Sequence, residues 1–188
     1  MFLLEELEGK IGYCFQDKSL LKQALTHSSF SNEQKINKWK NYERIEYLGD
    51  AVLELISSDY FYHAYPEETE GNLTKMRASA VCEQALAITA RELQLGGYMV
   101  FGKGEEQNGG RERESIIADA VEAIIGAIYL DGGLEQAKKF IHGFVLNDLE
   151  NKQLFYDAKS ILQELIQNQK MGELLYELDG EEGPEHDK

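Results

Sequence analysis

Residues 115–130 read SIIADAVEAIIGAIYL, a stretch in which only Asp119 and Glu122 carry charge. Taken as a helix at ~100° per residue, it is apolar or small on nearly every side. Ile117, Val121, Ile124, Ile125 and Ile128 fill one broad face, and Ala118, Ala120, Ala123 and Ala127 cover much of the rest. Only a narrow strip of Ser115, Asp119, Glu122 and Gly126 differs. A helix of this kind belongs in a core, where carboxylates are costly unless paired, hydrogen-bonded or bound to a metal. The i, i+3 spacing puts both acids on one strip. Two readings stand: the polar edge of a core helix, or half of a carboxylate site whose other half lies elsewhere.

The second half is found in NYERIEYLGDAVLEL, residues 41–55. Ile45, Leu48, Val52, Leu55 and Ile56 form an apolar helical face, and Glu43, Glu46, Asp50 and Glu54 lie opposite at spacings of three and four. A solvated acidic face would look similar. Two features weigh against it. Four acids in line repel one another with only Arg44 nearby, and Gly49 costs the helix ~1 kcal/mol relative to Ala, which calls for a close approach there. Set against the strip of Ser115, Asp119, Glu122 and Gly126, the small residues let two helices meet and the carboxylates converge. All-oxygen ligands suit Mg²⁺, with Mn²⁺ a possible substitute. A water held by such a cation can attack a phosphodiester.

The remaining chain reads as helical. Asp17 caps SLLKQALTH, and the acid-rich helix runs on through ISSDYFYHAY to Pro66. Asn72 is expected to open one helix, LTKMRASAVCEQALAITARELQL, that stops at Gly96-Gly97. The segment FGKGEEQNGGRERE is expected as loop, and LEQAKKFIHGFVLNDLE as a last helix. The main body, residues 1–150, is therefore all-α. Residues 151–156 break the pattern as a linker. In residues 157–188 a short helix, AKSILQELIQNQ, precedes a single strand, ELLYEL, and a polar, turn-rich end.

Of the 188 residues, 43% are hydrophobic, enough for one well-packed domain with a small appendage. No apolar run approaches the ~20 residues that span a bilayer. The start, MFLLEELEGKIG, is acidic and amphipathic and so unlike a secretory signal. Cys14 and Cys82 stand apart without metal-ligand spacing and read as free thiols, consistent with a cytoplasmic protein. The net charge of −15 argues against nonspecific attraction to nucleic acid, yet leaves room for local phosphate contacts. Lys75, Arg77 and Lys103 are the basic residues expected beside them. His27 is expected as a core histidine bonded to Ser28 or Ser29. Tyr47 projects beside the acidic strip, an unusual place for an exposed aromatic.

ERIEYLGDAVLEL resembles the nine-residue motif of the ribonuclease III family, and it does not stand alone. LTHSS at 25–29, GNLTKMRASAV at 71–81, GKGE at 102–105 and SIIADAVEAIIGAIYLDGG at 115–133 resemble family segments in the expected order, so the resemblance covers roughly residues 5–150. It implies an all-α endonuclease domain that acts as a homodimer on double-stranded RNA. With Mg²⁺ such enzymes cut both strands, leaving 5′-phosphates, 3′-hydroxyls and a short 3′ overhang, in the processing of rRNA and other RNAs. The family's metal and catalytic carboxylates fall on Glu46, Asp50, Asp119 and Glu122, with Asp50 and Glu122 at the positions treated as the catalytic pair. Glu43 and Glu70 match positions linked to intersubunit contacts or choice of cleavage site, and Tyr47 becomes a plug into a partner subunit.

DAKSILQELIQ and YEL followed by EGPEHDK resemble the first helix, first strand and following loop of a double-stranded RNA-binding domain. There Gln163, Glu164 and His186 match positions that touch an RNA minor groove. The sequence ends within that resemblance, which leads to the expectation of a fragment of a longer protein. Neither a membrane partner nor a small-molecule cofactor is expected. Two alternatives remain: an RNA-binding scaffold that kept the fold and lost the chemistry, and a metal-dependent phosphohydrolase of small substrates. Retention of all four carboxylates argues against the first, and the ordered motifs outside the site argue against the second.

Overall fold

The computed structural model describes residues 2–35, 40–147 and 149. In chain order the helices are α1 (Phe2–Ile11), α2 (Lys18–Ala24), α3 (Ser28–Glu33), α4 (Glu43–Ala64), α5 (Glu70–Val81), α6 (Glu83–Glu92), α7 (Lys103–Gln107), α8 (Glu114–Gly132) and α9 (Leu134–Phe140). Among the described residues the only β pairing is an isolated parallel bridge between Thr26 and Val100. The expected strand, the linker and the RNA-binding module lie outside the described residues.

α8 is the axis of the molecule. Ile116, Ile117, Val121, Ile124, Ile125 and Ile128 are buried, and Ala118, Ala120, Ala123 and Ala127 are buried with them. Each large aliphatic contributes roughly 1.5–3 kcal/mol on burial, while the alanines let neighbours pack close. α4 runs along one side of α8, α6 along another, and α2 and α9 close the remainder. Gly133, with φ at 79°, ends α8 in a conformation that favours glycine. Asp131 then accepts hydrogen bonds from the hydroxyl of Tyr13 and from the backbone N–H groups of Gln16 and Asp17, tying the start of the chain to this end.

α4 and α8 meet backbone to backbone. A Cβ placed on Gly49 would sit 1.8 Å from the carbonyl oxygen of Glu122, and one on Gly126 would sit 2.3 Å from the carbonyl oxygen of Ile45. The close approach expected from an interrupted acidic helix is present, and Gly126 mirrors it.

Several expected boundaries move. The long helix after Pro66 is two helices: Thr69, rather than Asn72, caps α5 by accepting from the N–H of Asn72, and Cys82 breaks the path with ψ at 160°. The apolar stripe explains the break. Leu73, Met76 and Ala80 keep helical spacing, as do Leu86, Ala90 and Leu93, but the step from 80 to 86 is out of phase with one helix. The Gly-rich segment after Phe101 contains α7, whose first N–H groups are held by the carboxylate of Glu33. The last helix is α-helical only to Phe140 and continues as a π turn, Ile141–Val145. There Thr89 donates its hydroxyl proton to the carbonyl oxygen of Phe144. Leu55, expected on the core face of α4, is 58% exposed. It lies ~80° around the helix from Ile45, at the rim of that face rather than in it.

Gly49→Ala forces backbone against backbone and should destabilise the fold by about 3 kcal/mol or more. Gly9, in α1 with no atom within 4 Å of an added Cβ, is the comparison. Gly9→Ala should gain about 0.5–1 kcal/mol from helix propensity. Urea unfolding of both variants checks the contrast, and equal stabilities would contradict the crossing.

Candidate metal centre

The N-terminus of α4 is built by the residues before it. Asn41 is buried and accepts the N–H of Glu43 through its side chain at 3.3 Å, while its amide donates back to the Glu43 carboxylate at 3.2 Å. Glu43 and Glu46 then sit in the first turn, where the helix dipole favours negative charge. From this turn to the Gly49 crossing, α4 lies against the stretch of α8 that carries Asp119 and Glu122.

Glu46, Asp119 and Glu122 each place a carboxylate oxygen within 4.8 Å of the others. All three are half-buried. Burial raises the pKa of Glu122 to about 8, and the charges of Asp50, Asp119, Glu46 and Glu54 add to the effect. Glu46 rises to about 7 through burial first, then Asp119, Glu43 and Asp50. Asp119 is also raised by burial, against the opposing hydrogen bond from the hydroxyl of Tyr42 at 3.2 Å. Every charge that shifts Glu46 and Glu122 is thus another carboxylate. Such a cluster of hard oxygen donors fits a divalent cation.

The other predicted residues fall as follows. Asp50 is exposed and lies outside the three-carboxylate group, although its charge reaches Glu122. Glu54 pairs with Arg77 at 2.7 Å, and Arg77 also donates to the hydroxyl of Ser58 at 2.8 Å, so this arginine ties α5 to α4. Lys75 is exposed, and so is Lys103, whose backbone N–H belongs to the Glu33 contact. Glu70 opens α5 and accepts from Thr74. Tyr47 is 79% exposed. His27 is buried, caps α3, and is bonded to Ser29 at 2.8 Å, the structural role expected. Gln163, Glu164 and His186 lie outside the described residues.

One residue at the centre is missed by sequence reasoning. Tyr42 stands immediately before the acidic helix and touches Asp119, which is 77 positions away. An aromatic beside a capping Asn is a weak signal, and its target on α8 is invisible until the helices are docked.

The class of molecule follows from this geometry: a helical fold with a carboxylate cluster at the crossing of its two principal helices. The sequence model of the Ribonuclease-III-like family matches residues 17–149. Ribonuclease 3 of Pelotomaculum thermopropionicum is 50% identical over 186 residues, covering 97% of this chain and 77% of its own length. Ribonuclease 3 of Clostridium acetobutylicum is 50% identical over 188 residues, covering 98% and 80%. Among solved structures, the nuclease domain of ribonuclease III from Campylobacter jejuni superposes with a TM-score of 0.70 at 44% identity. That match covers 76% of this chain and 95% of the other. The chain belongs to the ribonuclease III family, a family of endoribonucleases.

The raised carboxyls carry a pH dependence. Glu122 titrates near 8 in the folded chain, against an ordinary value near 4.5. The metal-free fold therefore holds a proton that the unfolded chain has released, and this contribution to stability is lost as pH rises through that window. His27 and His142, whose pKa values burial lowers, act in the opposite direction. Comparing the parent with Glu122→Gln in EDTA cancels the histidines. The advantage in melting temperature of Glu122→Gln should be smallest at pH 5.5 and grow towards pH 8. A constant or shrinking difference would contradict it.

Proposed function

We propose that this chain is a Mg²⁺-dependent endoribonuclease that cleaves both strands of double-stranded RNA as a homodimer. The observation that carries this reading is the convergence of Glu46, Asp119 and Glu122, in a chain of this family. We assign the metal and catalytic roles to Glu46, Asp50, Asp119 and Glu122. When bound, Mg²⁺ (or Mn²⁺ in its place) would polarise the phosphodiester and supply an activated water at neutral pH.

The protein's part is to hold the carboxylates where they repel one another and to keep them half-dry, which strengthens their hold on a cation. To Asp50, more exposed and one turn along from Glu46, we assign a catalytic role beside Glu122. Lys75, Arg77 and Lys103 are assigned to RNA phosphates, a positioning role that carries no sequence information. The products are 5′-phosphate and 3′-hydroxyl ends, and the substrates include rRNA and other precursor RNAs in the cytoplasm. We assign residues 1–150 to the catalytic domain, 151–156 to a linker and 157–188 to the start of a double-stranded RNA-binding domain. Among the described residues no helix is long and apolar enough to cross a membrane.

A homodimer is favoured by one side of α4. Tyr47 at 79%, Leu55 at 58% and Tyr62 at 68% exposure make, with exposed Ala51, an apolar stripe along the helix. It runs beside a groove of about 760 Å³ whose wall includes Leu55, Phe61, Tyr62, Leu73 and Arg77. The Campylobacter jejuni structure is described in terms of flexibility in a region involved in dimer formation. One site per copy, related by a two-fold axis, supplies one cut for each strand. Tyr47 acts as a plug into the partner, with Glu43 at the same interface.

Cleavage of long duplex RNA in Mg²⁺ tests the chemistry. Glu122→Gln should lower the rate at least ~100-fold. Glu54→Gln, on the same acidic face, should stay within about threefold of the parent. Equal losses would mean that the acids act through their general field, and an inactive scaffold would show no Mg²⁺-dependent cleavage at all. Assembly is tested separately by sedimentation at micromolar concentration. Tyr47→Ala should shift the chain towards monomer, a loss of about 2 kcal/mol or more for an interface anchor. A parent chain that cleaves duplex RNA as a monomer would rule the dimer out.

A further inference from the structure

We infer that Tyr42 is a positioning residue for the metal centre, fixing the Asp119 carboxylate on α8 and the start of the helix that carries Glu46. The inference rests on the reading of Glu46, Asp119 and Glu122 as cation ligands and adds a residue to it.

Asp119 has neighbours of its own sign on both sides. Without a cation, the half-buried position of Asp119 disfavours its charge and favours rotamers that carry its carboxylate out to water. The hydroxyl of Tyr42 opposes this by donating to Oδ2 of Asp119 at 3.2 Å. The carbonyl oxygen of Tyr42 accepts the N–H groups of Ile45 at 2.8 Å and Glu46 at 2.9 Å, the opening bonds of α4. One residue thus bonds to both halves of the site, through its side chain to α8 and through its backbone to α4.

Tyr42 is itself immobilised. It is 5% exposed, and its ring stacks on His27 with centroids 5.4 Å apart and planes 26° from parallel. Its N–H donates to the carbonyl oxygen of Thr26 at 2.9 Å. His27 is fixed in turn. Its N–H donates to Val100 at 3.0 Å, and its ring lies 5.2 Å from that of Phe101. The N–H of Ser29 points at His27 Nδ1, and the Ser29 hydroxyl lies 2.8 Å from it, so Nδ1 is the acceptor and the ring proton sits on Nε2. Ser29 Oγ also accepts the N–H of Gly102 at 2.9 Å. The LTHSS segment, far from the acids in sequence, thereby becomes the seat of the tyrosine that orients one of them. Groups that orient ligands in this way typically govern metal affinity by 10–100-fold.

The test uses the full chain without RNA. Tyr42→Phe keeps the ring on His27 and removes only the hydroxyl, so the melting temperature should change by no more than a few degrees. Mn²⁺ affinity, from the free-Mn²⁺ electron paramagnetic resonance signal, should weaken about tenfold. In an Asp119→Ala background, adding Tyr42→Phe should weaken it no further. Unchanged Mn²⁺ affinity in Tyr42→Phe overturns the inference while leaving the three-carboxylate reading in place, provided that Asp119→Ala alone weakens binding. An equal further loss in the Asp119→Ala background also overturns it, since the hydroxyl would then act elsewhere. If Asp119→Ala binds Mn²⁺ like the parent, the carboxylate reading itself fails and the role of Tyr42 falls with it.

Discussion

Two glycines set the distance on which the rest of the structure depends. Gly49 and Gly126 let the backbones of α4 and α8 touch, with the carbonyl groups of Glu122 and Ile45 filling the space that side chains would need. Nothing larger than hydrogen fits at either position without parting the helices. Glu46 stands one turn before Gly49, and Glu122 one turn before Gly126. The same contact that docks the helices therefore brings their acids within reach of one cation. Packing and chemistry meet at one crossing, and separating the helices would cost both.

The cluster is a local defect in an otherwise consistent core. Around it α8 buries isoleucine and alanine on almost every side, and this apolar majority tolerates a few carboxylates driven towards neutrality. The charges that act on Glu46 and Glu122 are those of other carboxylates. Lysine or arginine at the crossing would relieve the repulsion and would also occupy the place of a divalent ion. Arg77, a nearby cation, is instead bound to Glu54 and Ser58. Stability given up at a site and recovered from the surrounding core is the pattern expected where function rather than folding selects the residues.

Much of this was legible in the sequence. Asp119 and Glu122 were conspicuous because their helix is otherwise apolar, and Gly49 because a glycine inside an amphipathic helix needs a reason. Such signals are local, one turn or two in length. What escaped depends on tertiary docking. Leu55 satisfies the periodicity of the core face, yet sits at its rim and faces out. The break at Cys82 carries no glycine or proline and shows only as a slip in the phase of the apolar stripe. Tyr42 has no pattern of its own, since its partner is 77 residues away. Gln163, Glu164 and His186 were assigned by resemblance and lie outside the described residues.

The central claim, that Glu46, Asp119 and Glu122 form a divalent-cation site at the α4–α8 crossing, is tested most directly by anomalous diffraction. Crystals of the chain soaked in Mn²⁺ at sub-millimolar concentration are measured near the manganese absorption edge. The account predicts a peak among the three carboxylates, at the short distances, roughly 2.0–2.3 Å, that small divalent ions keep to oxygen ligands. Manganese bound elsewhere in the crystal, with no peak at the crossing, would contradict it.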